Sequence, residues 1–296
     1  MDPQRIVKSI IRVLLHKAGF EIKRASKRAA DPYSLSLYAS LYDAATLERK
    51  PFYNVGAGSF WHPYWTNIDY ISDWYGSVQK SAIHHDLMSR DPLPIESNSA
   101  EIVYTSHTIE HIKEDAVLIF FREAFRTLKP RGVFRVTTGP DAETNYRAMI
   151  NGDTHWFYWD DWYAESGSFE HVYHKPANSV PIEERWLAHV AAPLAPNDIS
   201  PSEHKFNAVE IRRIIDELGL EKALDFFTSK CDFDSKRPGN HISWWTHTKV
   251  SNFLEDAGFS NIYRSGYGQS VSPILRNTEF FDSTHPQMSI YVEAIK

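Results

Sequence analysis

The chain has 296 residues, a formal net charge of −6, 42% apolar residues and 14% aromatic ones. No apolar run approaches the roughly 18 residues that a membrane-spanning helix needs. The single cysteine, Cys231, excludes an internal disulfide and any multi-cysteine zinc site, and fits a reducing, cytoplasmic setting.

Charge is unevenly placed. Residues 1–28 hold eight Lys/Arg against Asp2 and Glu21, so the head is basic and the remainder more acidic than the whole. Such a body is a poor general binder of nucleic acid, which needs a basic surface. No Asn-x-Ser/Thr sequon hints at secretion. Arg5 to Phe20 reads as an amphipathic helix, with Ile6, Ile10, Val13, Leu14 and Ala18 at helical spacing and Gly19 as a stop. The expected roles are packing on the body or on a second subunit, or a peripheral contact of residues 1–28 with an anionic membrane surface. A linker and a helix over Leu35 to Glu48 complete an amino-terminal segment, residues 1–50.

From Pro51 short apolar runs alternate with turn signals. The pattern predicts strands at Phe52–Val55, Trp65–Tyr70, Ser81–His85, Ile102–Ser106 and Val133–Thr138, with a helix over Ala116 to Leu128 ended by Lys129-Pro130-Arg131-Gly132. Alternation of strand and helix argues for an α/β sheet. About nine residues separate the first two strands, fewer than the dozen or so of a usual parallel crossover, so the amino-terminal helices are expected to cover that face.

Residues 151–240 break the alternation. They are rich in Trp, Tyr, His and Pro (Trp156, Trp159, Trp162, His171, His174, Trp186, Pro193, Pro196, Pro201) and contain one evident helix, Ala208 to Leu218. This reads as an inserted, aromatic-rich cap for a substrate. The sheet pattern returns with a helix over Thr248 to Ala257 and closing strands at Asn261–Tyr267 and Met288–Ala294, so the core is residues 51–150 and 241–296.

Chemistry gathers at the strand tips. Gly56-Ala57-Gly58 ends the first strand, Asp69 the second, and Asp86 follows the third. Ligands of an open parallel sheet bind beyond the carboxyl ends of its strands, so these residues converge on one nucleotide-type site. Glycine allows the sharp turn and close approach of a ligand, and an acid can hold ribose hydroxyls. No third glycine completes the phosphate-gripping pattern, which counts against NAD.

Asn54-Val55-Gly56-Ala57-Gly58, Asp69, Asp86-Leu87, Tyr104 to His111, Leu128 to Val136 and Glu255 to Phe259 together resemble the motif series of class I S-adenosylmethionine-dependent methyltransferases, over roughly residues 51–141 and 241–296. The resemblance is to a compact bacterial-type subgroup that includes methyltransferases of glycan assembly. It implies a Rossmann-like, seven-strand, mostly parallel sheet with an antiparallel last strand. It also implies S-adenosylmethionine as cofactor, held by Asn54, Gly56, Ala57, Gly58, Asp69, Asp86, Leu87 and Ser106. The acceptor expected from this subgroup and from the polar, aromatic cap is a small molecule or glycan, such as a sugar hydroxyl of a glycan or nucleotide sugar. A hydroxyl acceptor needs a base that titrates near neutrality; the candidates are His107, His111, Asp141 and His241.

His107-Thr-Ile-Glu110-His111 also fits the H-x-x-E-H zinc pattern, in which two histidines one helical turn apart share a face. A zinc hydrolase is therefore a competing reading, and a non-catalytic module that only binds the cofactor is another. Within the methyltransferase reading no metal is assigned. His171 and His174 with an acid form a weaker metal candidate, and the number of subunits is left open.

Overall fold

The computed structural model describes residues 32–72, 81–158, 173–176, 179–198, 202 and 204–296. The helix expected over Arg5 to Phe20, and Trp159, Trp162, His171 and Pro201, lie outside the described residues.

Seven strands form one sheet in the order β3-β2-β1-β4-β5-β7-β6. They are β1 Phe52–Val55, β2 Trp65–Asp69, β3 Ile83–His84, β4 Ala100–Ser106, β5 Leu128–Thr138, β6 Asn261–Arg264 and β7 Ile290–Ile295. All neighbours are parallel except β7, which runs antiparallel to both β5 and β6. The strand order turns around at β1, which lies between β2 and β4, and this reversal opens a crevice at the strands' carboxyl ends.

The apolar runs are continuous because both faces of the sheet are covered. Successive side chains point to opposite faces. Phe52, Trp65, Ile102, Tyr104 and Val133 enter one core, and Val55, Ile68, Val103, Phe134 and Val136 enter the other. The second of these faces is covered by α3 (Glu114–Thr127), which contributes Ala116, Val117, Phe120, Phe121 and Ala124, and by α8 (His247–Asp256), whose Val250 and Leu254 are buried.

The first face is covered from the amino-terminal side. No helix joins β1 to β2; instead α1 (Pro32–Leu41) sets Tyr38 edge-on to Phe52, stacked on His62, and hydrogen-bonded through its hydroxyl to the Trp65 indole. The single helix expected over Leu35 to Glu48 is two helices. Asp43 interrupts it, because its carboxylate accepts the Thr46 N–H at 2.7 Å and caps α2 (Ala44–Arg49). The expected stop at Lys129 to Gly132 is also displaced. Helix α3 ends at Thr127, and Leu128 already pairs with Ala100, so the Pro-Gly stretch lies within an irregular start of β5.

A charged cluster is buried on the first face. Arg135 of β5 is fully buried, donates to both Asp282 carboxylate oxygens (3.0 and 2.5 Å) and to Glu293 of β7 at 2.8 Å, and also donates to the Gly266 and Gln269 carbonyls. Tyr104 of β4 receives the Asp282 N–H at 2.8 Å. These bonds fix the loop before β7 against the sheet.

Residues from Ala142 to Trp244 build a separate hydrophobic core. It contains α4 (Ala142–Asn151), α5 (Ile182–Ala188), α6 (Ala208–Leu218) and α7 (Leu220–Ser229) around Trp186, Phe157, Leu224 and Phe227. Of these helices only α6 is anticipated by the sequence pattern; it starts with a full capping box, Asn207 with Glu210. The two ends of this segment meet: the Ala142 N–H donates to the Trp245 carbonyl at 2.9 Å.

Candidate active site

The crevice is built from four loops. The Gly56 N–H donates to the Ile68 carbonyl at 2.9 Å, which carries the β1–β2 pairing up to the start of the glycine turn. Gly56 and Gly58 both have positive φ, +73° and +54°. At Gly56 a Cβ would meet the Thr108 side chain at 2.0 Å, so only glycine lets the turn pass beneath the loop after β4. At Gly58 there is open space where a side chain would stand. Ala57 between them is buried.

Asp69, at the tip of β2, is mostly buried. Its two carboxylate oxygens accept the Gly58 N–H (2.5 Å) and the Tyr70 N–H (2.7 Å). Burial raises the pKa of this carboxyl, and the two N–H donors and His84 oppose the rise. A carboxylate has about four lone-pair sites, so Asp69 retains acceptor capacity toward ligand hydroxyls. Asn54 of β1, two residues before Gly56, has a buried amide oxygen with no hydrogen-bond partner. The glycine turn, the orphaned amide oxygen and the spare lone pairs of Asp69 fit a ribose-bearing cofactor.

The remaining expected cofactor residues sit at the rim. Asp86 accepts the Met88 N–H at 2.8 Å and caps a short turn over Leu87–Ser89, so its carboxylate already has a structural role. Leu87 packs against the sheet core. Ser106, the last residue of β4, accepts the Thr137 hydroxyl at 2.8 Å.

The loop after β4 departs from the i, i+4 helical pair of a zinc motif. His107 has a left-handed backbone (φ +50°), and only Ile109–His111 form a 3-10 turn. The two histidines consequently face different partners. His107 lies 2.9 Å from the Glu110 carboxylate through Nδ1 and 2.8 Å from Ser289 through Nε2. His111 directs Nδ1 to the Asn240 carbonyl at 3.2 Å and meets His241 with ring centroids 4.9 Å apart. His241 in turn directs Nδ1 to the His189 carbonyl at 2.8 Å.

Glu110 is the centre of this cluster. It is buried, its Oε2 accepts the Thr138 hydroxyl at 2.8 Å, and its backbone carbonyl accepts the N–H groups of Ile242 and Ser243 (2.9 and 3.2 Å). Burial alone would raise its pKa; His107 foremost, then His111 and His241, outweigh burial and bring it to about 2. His241 is lowered to about 3 by burial first and by His111 next, and is a neutral imidazole at pH 7. It is therefore a weak proton acceptor. The sequence pattern places His107 and His111 at this mouth but gives no warning that Glu110 links them to His241 across 130 residues. Asp141 stands apart: it heads α4, accepts the Thr144 hydroxyl at 2.6 Å, and forms a lone bridge with Trp245. His174 pairs with Asp198 on the surface at 2.5 Å, away from this cluster.

The strand order, the antiparallel β7 and the glycine–acid crevice define the class I S-adenosylmethionine-dependent methyltransferase fold. Residues 66–136 match a family model described as a methyltransferase domain. Among solved structures, the chain is similar to an S-adenosylmethionine-dependent methyltransferase from Mesorhizobium loti, with 14% identity over 83% of this chain and 90% of that one, TM-score 0.36. It is similar to another from Archaeoglobus fulgidus, with 10% identity over 90% and 100% of the chains, TM-score 0.37. A third similarity is to Haemonchus contortus phosphoethanolamine N-methyltransferase 2 in complex with S-adenosyl-L-methionine, with 12% identity over 83% and 48%, TM-score 0.35. At these scores the fold assignment rests on the strand order itself and on the domain match. No curated protein matches the chain by sequence.

Proposed function

We propose that the chain is an S-adenosylmethionine-dependent O-methyltransferase acting on a small polar acceptor, such as a sugar hydroxyl of a glycan or nucleotide sugar. When bound, S-adenosylmethionine supplies a methyl group activated on a sulfonium. Asn54, Gly56, Ala57, Gly58, Asp69, Asp86, Leu87 and Ser106 would hold it, with Asp69 accepting its ribose hydroxyls. The observation that favours a hydroxyl acceptor is the acid–base cluster one residue from the cofactor crevice: Thr108 touches Gly56, and His107 beside it faces Glu110. Removing a proton from a hydroxyl as the carbon–oxygen bond forms needs such a group, whereas an amine that binds neutral does not. The second core would position the acceptor over this mouth.

Calorimetric titration with S-adenosylmethionine tests the cofactor site. Asp69→Ala is expected to weaken binding by at least about tenfold, the scale of one or two lost charge-assisted hydrogen bonds. A product screen tests the acceptor: methylation of nucleotide sugars or glycans supports the reading, and methylation of amines alone overturns it. Among the described residues no helix is long and apolar enough to cross a membrane. Peripheral attachment through residues 1–28 is tested by vesicle co-sedimentation with and without that segment.

A further inference from the structure

Glu110, His111 and His241 bring three donor atoms within 4.8 Å of one another. We propose that these side chains form a binding site for a divalent transition metal of the zinc class. The proposal does not depend on the methyltransferase reading.

The hydrogen bonds fix which atoms are free. A backbone carbonyl only accepts, so the Nδ1 atoms of His111 and His241, facing the Asn240 and His189 carbonyls, carry the protons. That leaves the Nε2 lone pair of each ring uncommitted. Metal-ligating histidines are oriented in this way, by donating the other ring N–H to a carbonyl. Glu110 is held in place by Thr138 on one oxygen and His107 near the other, as ligating carboxylates are. Two imidazoles and one carboxylate suit zinc, iron, cobalt or nickel better than magnesium or calcium, which prefer all-oxygen shells.

The spacing is compatible with closure. Ligands of a tetrahedral zinc at about 2.05 Å stand roughly 3.3 Å apart. Small rotations shared by three side chains would bring the donors to that distance. Three protein ligands leave a position for water or an acceptor oxygen. The site would also join two parts of the chain. Glu110 and His111 follow β4, whereas His241 follows the second core, and the Ile242 and Ser243 amides already hold its backbone to the Glu110 carbonyl.

The test uses the full chain, stripped with chelator and titrated with Co2+ and Zn2+. One equivalent of Co2+ should bind with visible d–d absorption bands, and Zn2+ should displace it and raise the thermal midpoint. His111→Ala and His241→Ala, each confirmed folded by circular dichroism, should weaken binding by more than about tenfold. His174→Ala, at the surface pair with Asp198, should bind as the parent does. No binding to the folded parent, binding that survives both cluster variants, or binding lost in His174→Ala would each overturn the site. X-ray absorption of the zinc-loaded parent needs no variant: imidazole scattering in the first shell supports the site, and an all-oxygen shell overturns it. Calorimetry with S-adenosylmethionine on the same samples keeps this result separate from the cofactor assignment.

Discussion

At Gly56 two constraints fall on one absent atom. Its φ of +73° costs an L-residue about 1–3 kcal/mol, and the Thr108 hydroxyl occupies the position a Cβ would approach, at 2.0 Å. Gly56→Ala should therefore destabilise by more than the dihedral cost alone, because overpacking adds about 1–3 kcal/mol. Denaturant melts measure it. Adding Thr108→Ala removes the two nearest atoms but leaves a Cβ at 2.8 Å, so it should recover part of the loss. If Thr108→Ala recovered nothing, the steric account of this turn would fail. The need for glycine here is legible in the sequence as an abrupt stop to an apolar run. The identity of the residue pressing on it is not, because Thr108 lies 52 positions away.

Among the elements, the strands and α6 are the most legible and the short helices the least. Strands β1, β2 and β4 announce themselves as apolar runs buried on both sides, and α6 as a periodic stretch with a capping box. Helix α5 buries Glu184 to Leu187 in succession, which masks any helical period, whereas α7 buries only Ala223, Leu224, Phe227 and Thr228, a one-face period that is open to reading. The buried Arg135 is equally hidden: in the run Val133-Phe134-Arg135-Val136 it reads as an interruption. In the fold it joins β5, β7 and the loop carrying Asp282. Removing one partner of a buried ion pair strands the other, at about 3–5 kcal/mol. Asp282→Ala should lower stability by that amount in denaturant melts, whereas Arg135→Met together with Asp282→Ala and Glu293→Gln should cost less than the sum of its parts. Strict additivity would show that the cluster is not coupled.

For the molecule as a whole, acid should act through histidines held neutral. Burial first, then His107 and His189, lower His285 to about 4 from an ordinary 6.5, and burial lowers His247 in the same direction. As pH falls, the unfolded chain takes up these protons before the folded one does. The stability present above about pH 6.5 is thus lost progressively as pH falls toward 4, with no further loss from His285 below that. Urea midpoints at about pH 7 and pH 5 should show the decline, and His285→Asn should flatten it. An unchanged slope in that variant would assign the pH dependence elsewhere. The meeting of the Ala142 N–H with the Trp245 carbonyl carries a different consequence. A segment whose entry and exit lie one hydrogen bond apart puts no topological demand on the sheet that hosts it. It is exchangeable in the way a plug is: another segment of different length and lining could enter and leave through the same point. Strand order and cofactor crevice would be untouched, and under the proposed function such an exchange would alter the acceptor and leave the cofactor chemistry as it is.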